Sequence, residues 1–79
     1  MEGITTLKGL RANVNMSQEE VAECLGRARD SYRRSEAGER ELTLDEGYQL
    51  SDLFNVPVDV VYKAWKEARS SWEVARSAR

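Results

Sequence analysis

Residues 27–34 concentrate side chains that can bind nucleic acid. They include four arginines, one aspartate and one serine: Arg27, Arg29, Arg33, Arg34, Asp30 and Ser31. Arginine can donate two parallel hydrogen bonds to guanine or pair with a phosphate, and aspartate can accept one from a cytosine amino group. The ordinary alternative is that these charges only solvate one face of a helix. The elements that position the stretch therefore decide how it is interpreted.

The residues around this stretch predict a helix, a tight turn and a second helix. Ser17 can cap the first helix through its hydroxyl, and Glu20, three residues on, completes a capping box. Gly26 permits the left-handed backbone that ends this helix. A second short helix is expected over about residues 28–36, and Gly38 ends it. A short arginine-rich helix held at an angle by a tight turn suits the major groove of DNA.

Several motifs carry a resemblance to a known family. They are Leu7-x-x-Leu10-Arg11, Met16-Ser17-Gln18-Glu19-Glu20-Val21-Ala22, Leu25-Gly26 and Glu36-Ala37-Gly38-Glu39-Arg40. Over about residues 7–62 the chain resembles the lambda-repressor-like, Cro-type helix-turn-helix family, often called XRE-type. The resemblance implies an all-α domain of five helices. It also implies a bacterial or phage regulator that binds double-stranded operator DNA as a homodimer and controls promoter access sterically.

The resemblance assigns roles to the arginine-rich stretch. Arg29, Asp30 and Arg34 match positions that usually face base edges. Ser31 and Arg33 match positions nearer the DNA backbone or a flanking base. The second helix is therefore expected to supply both the base contacts and some of the backbone contacts.

Gln18 and Arg11 receive expectations from the same resemblance, whereas Arg27 departs from it. Gln18, at the start of the preceding helix, matches a position that commonly contacts a phosphate. Arg27 is a DNA-binding candidate, although the family usually has a small apolar residue or threonine there. Arg11 matches an arginine that pairs with the glutamate corresponding to Glu36, so a structural ion pair is expected. The alternative for Arg11 is an ordinary surface arginine.

Other positions of the second helix depart from the family pattern. Ala28 replaces the usual serine or threonine cap, so the helix should begin weakly. Tyr32 and Ser35 replace aliphatic core residues, so the helix should bury less apolar surface than usual. It would then be loosely held, or it would recruit a neighbour such as a tryptophan from the C-terminal segment.

The rest of the sequence predicts three more helices. Ile4, Leu7, Leu10 and Val14 form an apolar stripe that predicts a first helix over residues 4–14. Thr43 can cap a fourth helix, with acidic residues suited to its first turn. Asn55 is a suitable left-handed stop for that helix, and Pro57 suits the start of a fifth. The fifth helix is unusual, because residues 58–79 contain no glycine or proline to end it.

The last helix carries a heptad-like seam of apolar residues: Val61, Trp65, Ala68, Trp72 and Ala75. The domain is expected to span residues 1–62, with residues 63–79 as an extension and both tryptophans lying past the core. Three interpretations remain open for this seam. It could form a homodimer, fold back to complete the core, or dock another regulatory protein.

Charge is distributed unevenly along the chain, whose net charge is −2. Residues 27–35 carry four arginines against one aspartate, and residues 63–79 carry five cationic side chains against two acidic ones. Acidic residues dominate the intervening segment, including Glu39 and Glu41 in a loop that often approaches phosphates. A rival hypothesis follows from this acidity: a protein-interaction module on the same fold, such as an antirepressor or modulator, with little DNA binding of its own.

Composition excludes several other classes. Seventy-nine residues suit one small domain. A single cysteine, Cys24, allows no internal disulfide, and with no histidine a zinc finger is excluded. No apolar run reaches membrane-spanning length, and the first residues lack a secretory signal, so a cytoplasmic location is expected. No grouped nucleophile and base or glycine-rich phosphate loop is present, so no enzyme, cofactor, metal or small-molecule ligand is expected.

Overall fold

Five α-helices account for most of residues 6–77, which are the residues that the computed structural model describes. In chain order they are α1 (Leu7–Asn13), α2 (Gln18–Leu25), α3 (Arg29–Glu36), α4 (Leu44–Phe54) and α5 (Val58–Ser77). No strand occurs within this range. The prediction of an all-α, five-helix domain with a lengthened last helix is confirmed.

The first helix is shorter than the apolar stripe predicts. The Thr6 hydroxyl accepts a hydrogen bond from the Gly9 amide at 3.0 Å, so α1 begins at Leu7. The predicted start at Ile4 lies outside the described residues. At the other end α1 stops at Asn13, and Asn15 follows with a positive φ of 58°.

Capping boxes begin α2 and α4. The Ser17 hydroxyl accepts from the Glu20 amide at 3.0 Å, while the Glu20 carboxylate accepts from the Ser17 amide at 2.8 Å. Thr43 and Glu46 make the same reciprocal pair, with both distances 3.1 Å. Both helices therefore have some of their unpaired first-turn amides satisfied by their own side chains.

The core lies where all five helices meet. Its buried apolar side chains are Leu7, Val21, Ala22, Tyr32, Leu42, Leu50, Phe54, Val61 and Ala64. Tyr32 is fully buried, so the expectation that α3 has weak apolar backing is corrected at this position. Ser35 is also buried, and its hydroxyl donates to the Ser31 carbonyl at 3.2 Å, so its polar atom is satisfied inside the helix.

The first half of α5 packs on the domain. Val61 and Ala64 are buried, and Trp65 packs against the core with its indole N–H donating to the Arg40 carbonyl at 3.1 Å. The expectation that Trp65 lies past the core is therefore wrong. Its hydrogen-bond partner is the backbone of the loop between α3 and α4, which the periodicity of the sequence does not reveal.

That loop lies in direct contact with α5. A Cβ atom added at Gly38 would come within 2.5 Å of the Ala68 backbone. The Arg69 guanidinium also donates to the Gly38 carbonyl at 3.0 Å. Only a glycine permits this approach, so the end of α3 and the middle of α5 are fixed against each other.

Beyond Arg69 the helix continues with different surroundings. Two guanidinium groups lie over the Trp72 ring, with the guanidinium carbon of Arg69 4.8 Å and that of Arg76 4.7 Å from the ring centroid. Val74 and Ala75 are exposed. Across residues 6–77 no helix combines the length and the apolar character needed to cross a membrane.

Candidate nucleic-acid interface

The turn between α2 and α3 sets the angle of the arginine-rich helix. Gly26 adopts the left-handed conformation with φ 68°, and the Arg27 amide donates to the Ala22 carbonyl at 2.9 Å. Ala28 occupies the N-cap of α3 and supplies no side-chain hydrogen bond, as the sequence predicts. Because its first turn has no side-chain cap, α3 also depends on contacts made further along the helix to hold its position.

The strongest of these contacts converge on Glu36, at the last turn of α3. Arg11 donates from Nε to Oε2 at 2.8 Å and from Nη2 to Oε1 at 3.3 Å. Gln18 donates to Oε1 at 2.7 Å, and the Tyr32 hydroxyl donates to Oε2 at 3.0 Å. Three helices are thus tied together at one carboxylate, which is 8% exposed. We refer to Arg11, Gln18, Tyr32 and Glu36 as the Glu36 network.

This network determines the charge state of its members. Burial alone would raise the pKa of Glu36, but the hydrogen bonds from Arg11, Gln18 and Tyr32 outweigh it and hold the pKa below its ordinary value of 4.5. The hydrogen bond to Glu36 raises the pKa of Arg11. Burial, together with the charge of Glu36, raises the pKa of Tyr32. The network therefore contains a carboxylate, a guanidinium and a neutral phenol at neutral pH.

A pH dependence of stability follows from the lowered pKa of Glu36. Because the unfolded chain takes up this proton more readily than the folded one, the stabilisation is present above about pH 4.5 and is lost as pH falls through the folded pKa. Urea unfolding at about pH 7 and about pH 3 should show lower stability in acid. The Glu36→Gln variant should be less stable at neutral pH but lose less between the two. An equal loss in both proteins would contradict this role of Glu36.

Gln18 participates in the interior network. Its side-chain amide donates to Glu36, and the residue is half-buried at the first position of α2. The resemblance assigns it a phosphate contact, and the amide keeps one N–H beyond the bond to Glu36. The structure thus places Gln18 with Arg11 and Glu36, between α1 and α3.

The exposed face of α3 carries the other candidates. Arg29, Asp30, Arg33 and Arg34 are all exposed, and Arg29, Asp30 and Arg33 line a shallow depression. Ser31 is half-buried, and its carbonyl accepts from Arg40 at 3.3 Å. Four of the predicted side chains therefore reach solvent together, whereas Ser31 lies against the loop that follows α3.

Two of the exposed arginines already have acidic neighbours. Asp30 lies 3.1 Å from Arg33 and 3.8 Å from Arg34, measured from carboxylate oxygen to Nε. Glu39, just past α3, lies 4.0 Å from each of the same two guanidinium groups. We call Asp30 and Glu39 the acidic pair. Arg29 has no such ion pair within residues 6–77.

Arg27 lies in a second ion-pair cluster. Its Nε is 2.7 Å from Glu46 Oε2, and Arg40 Nη2 is 2.7 Å from the same oxygen. Burial would raise the pKa of Glu46, but hydrogen bonds from Arg40 and the Thr43 backbone, with the charges of both arginines, lower it. The turn before α3, the following loop and the start of α4 are joined at this carboxylate.

Sequence reasoning missed Arg40 and the central position of Glu46. One signal was present, since Thr43 and Glu46 have the spacing of a capping box, which places the glutamate side chain at a helix start. No comparable local signal exists for Arg40, because its partners lie on separate elements. Within residues 6–77 no group of three or more acidic, cysteine or histidine side chains is arranged to hold a metal ion.

Comparison with known proteins agrees with this geometry. A helix-turn-helix family model matches residues 7–61, from the start of α1 into α5. No curated protein and no solved structure gives a significant match to the chain. The matched segment covers well over half of the sequence and contains α2, the turn and α3. The chain therefore belongs to the XRE-type, lambda-repressor-like helix-turn-helix family of DNA-binding transcription regulators.

Proposed function

We propose that this protein is a repressor-type transcription regulator that reads operator half-sites through α3 as a homodimer. The observation that supports this most strongly is the division of α3 into two faces. Glu36 ties the inner face to α1 through Arg11 and to α2 through Gln18, and Tyr32 is buried on the same face. Arg29, Arg33 and Arg34 are exposed on the outer face. A helix fixed on one side and cationic on the other can enter the major groove without reorganising.

Each exposed side chain has a suitable role on DNA. Arg29 and Arg34 can each donate two hydrogen bonds to guanine, and Asp30 can accept from cytosine. Arg33 matches a family position that suits a phosphate or flanking base. Sequence-independent affinity would come from phosphate contacts and fall steeply with salt. Each good base contact would add about 1–3 kcal/mol of discrimination.

Substitution of Arg34 tests this assignment. The preferred sequence is first obtained by selecting bound duplexes from a random library. Arg34→Ala should then lose about 1–3 kcal/mol of preference for that sequence over unrelated DNA, measured by fluorescence polarisation. Lys63→Ala removes an exposed cation on α5 and should leave the preference unchanged. Arg34→Ala binding with the parent's preference would show that α3 does not read bases in this way.

A homodimer is part of the proposal because these regulators read two half-sites about one helical turn apart. Three of the seam residues already have contacts within the domain. Val61 is buried, Trp65 packs on the core, and the backbone of Ala68 lies against Gly38 in the loop between α3 and α4. Trp72 and Ala75 remain at the end of α5, next to exposed Val74. We therefore propose that the dimer contact involves the last turns of α5.

Truncation tests the position of that contact. A chain ending at Ser70 keeps the contacts of Trp65 and Arg69 with the loop while losing Trp72 and Ala75. We expect the full chain to have the mass of a dimer in sedimentation equilibrium and the truncated chain that of a monomer. An unchanged mass after truncation would place the interface elsewhere.

A second candidate function is a protein-interaction module that modulates another regulator. The observation in its favour is that internal carboxylates already neighbour Arg27, Arg33 and Arg34. Such a protein would show no salt-sensitive DNA binding at micromolar concentration. Polarisation titrations at low and moderate salt distinguish the two candidates.

A further inference from the structure

We infer that Glu39 is a specificity-determining residue, which acts together with Asp30 to weaken sequence-independent binding of α3 to DNA. The inference rests on the proposed function, because it concerns the same helix and the same ligand. It gives a role to the acidic charge beside α3, which is otherwise unfavourable for a DNA-binding surface.

Both carboxylates of the acidic pair lie close to the same two arginines, Arg33 and Arg34. One Asp30 oxygen lies 3.1 Å from Arg33 Nε, and the other lies 3.8 Å from Arg34 Nε. One Glu39 oxygen lies 4.0 Å from Arg33 Nη1, and the other lies 4.0 Å from Arg34 Nε. Each of the two arginines therefore lies within 4.0 Å of both carboxylates.

Glu39 is positioned by the backbone. Its amide donates to the Arg34 carbonyl at 2.8 Å, which continues the hydrogen bonding at the end of α3. The preceding residue, Gly38, has φ 84°, and its carbonyl accepts from Arg69 on α5. The carboxylate is thus presented beside α3 by a segment fixed on two sides.

The acidic pair affects phosphates and bases differently. A phosphate that approaches Arg33 or Arg34 must compete with two carboxylates and is repelled by both. Guanine presents uncharged acceptors, so this repulsion is much weaker. Both close carboxylate contacts of Arg34 involve Nε, which leaves its two terminal amino groups able to donate to guanine. Specificity depends on the difference between the two affinities. Arg34 is assigned to a guanine on the operator, so weakening the contact that it makes with phosphate on unrelated DNA increases that difference.

Neutralising Glu39 tests the inference on DNA of mixed sequence. The probe is a labelled duplex of random sequence, titrated by fluorescence polarisation between about 50 and 200 mM salt. Glu39→Gln should bind this duplex about two- to five-fold more tightly than the parent, the range expected for exposed ion pairs. The plot of log affinity against log salt should steepen by about one, as expected for one added phosphate contact.

Glu41→Gln is the matched control. It makes the same change of charge in the same loop, and its side chain is exposed and takes part in no ion pair within residues 6–77. Its affinity for the mixed duplex should stay closer to that of the parent. Circular dichroism of both variants checks that the fold is retained.

The outcomes separate the inference from the proposed function. If the parent binds DNA and Glu39→Gln binds no better than Glu41→Gln, the inference is wrong and the proposed function stands. If neither the parent nor Glu39→Gln shows salt-dependent binding, both are wrong. Tighter binding by Glu39→Gln alone, with a smaller ratio of affinities for selected over mixed DNA, supports the inference.

Discussion

Arg11→Ala is expected to reduce the free energy of unfolding by about 3–5 kcal/mol, since it removes one partner of a largely buried ion pair. Arg11 donates two hydrogen bonds to Glu36 and a third to the Met16 carbonyl at 2.9 Å. Without it, the Glu36 carboxylate stays largely buried with only the neutral donors Gln18 and Tyr32. For a domain whose total stability is about 5–15 kcal/mol, this loss is a large fraction of the total. Urea titration followed by circular dichroism measures the change.

Lys8→Ala provides the control for this variant. Lys8 is an exposed cation on the same helix, so its removal should change stability by no more than about 0.5 kcal/mol. If Arg11→Ala resembles Lys8→Ala, the ion pair contributes little, and α3 is positioned by apolar packing alone. The comparison therefore measures how far the Glu36 network holds α3 in place.

Gly38→Ala is expected to have the second large effect, because it forces α5 away from the α3–α4 loop. The new Cβ would lie 2.5 Å from the Ala68 carbonyl carbon and 2.6 Å from the Arg69 nitrogen, both backbone atoms that cannot rotate aside. Overpacking of this kind costs about 1–3 kcal/mol. The left-handed backbone, with φ 84°, adds about 1–2 kcal/mol for a residue with a side chain. Thermal unfolding of the variant measures the sum.

Gly26→Ala separates the two contributions. Gly26 has a similar φ of 68°, but a Cβ there would meet no atom within 4 Å. This variant should therefore show only the backbone cost. Equal destabilisation of the two variants would mean that α5 does not pack closely on the α3–α4 loop. A larger effect at Gly38, with increased exposure of Trp65 seen by fluorescence, is the expected result.

Much of the fold could be predicted because its signals are local. Ser17 with Glu20 and Gly26 specify the start and end of α2 through hydrogen bonds within a few residues. Asn55 likewise ends α4 in the left-handed conformation, with φ 58°. These features depend on neighbouring residues in the chain, so a single sequence contains them.

Other features depend on contacts between distant segments. The periodicity of α5 marks Trp65 and Trp72 equally, yet only Trp65 reaches a carbonyl of the loop after α3. That difference depends on the close approach at Gly38, which no local pattern encodes. Tyr32 stands where the family has an aliphatic core residue, and no local pattern shows what would accept a hydrogen bond from its hydroxyl. Its burial is allowed because Glu36 accepts its hydroxyl hydrogen bond.

The candidate interface was predictable in location but not in its internal pairing. The type and spacing of Arg29, Asp30, Arg33 and Arg34 indicate a charged helix face, and the family resemblance implies its direction. The positions of Glu39 and Glu46 beside the arginines depend on the path of the loop between α3 and α4. The loop therefore determines how much of the positive charge is available to DNA.

The central claim is that α3 reads DNA sequence, and selection from a random duplex library with the 79-residue chain tests it most directly. At moderate salt we expect enrichment of one short motif, repeated with a centre-to-centre spacing of about 10–10.5 base pairs, as two half-sites bound by a dimer require. The enriched duplex should bind more tightly than unrelated DNA, and both affinities should fall as salt rises. If no motif is enriched and no salt-dependent binding occurs at micromolar protein, the claim is contradicted.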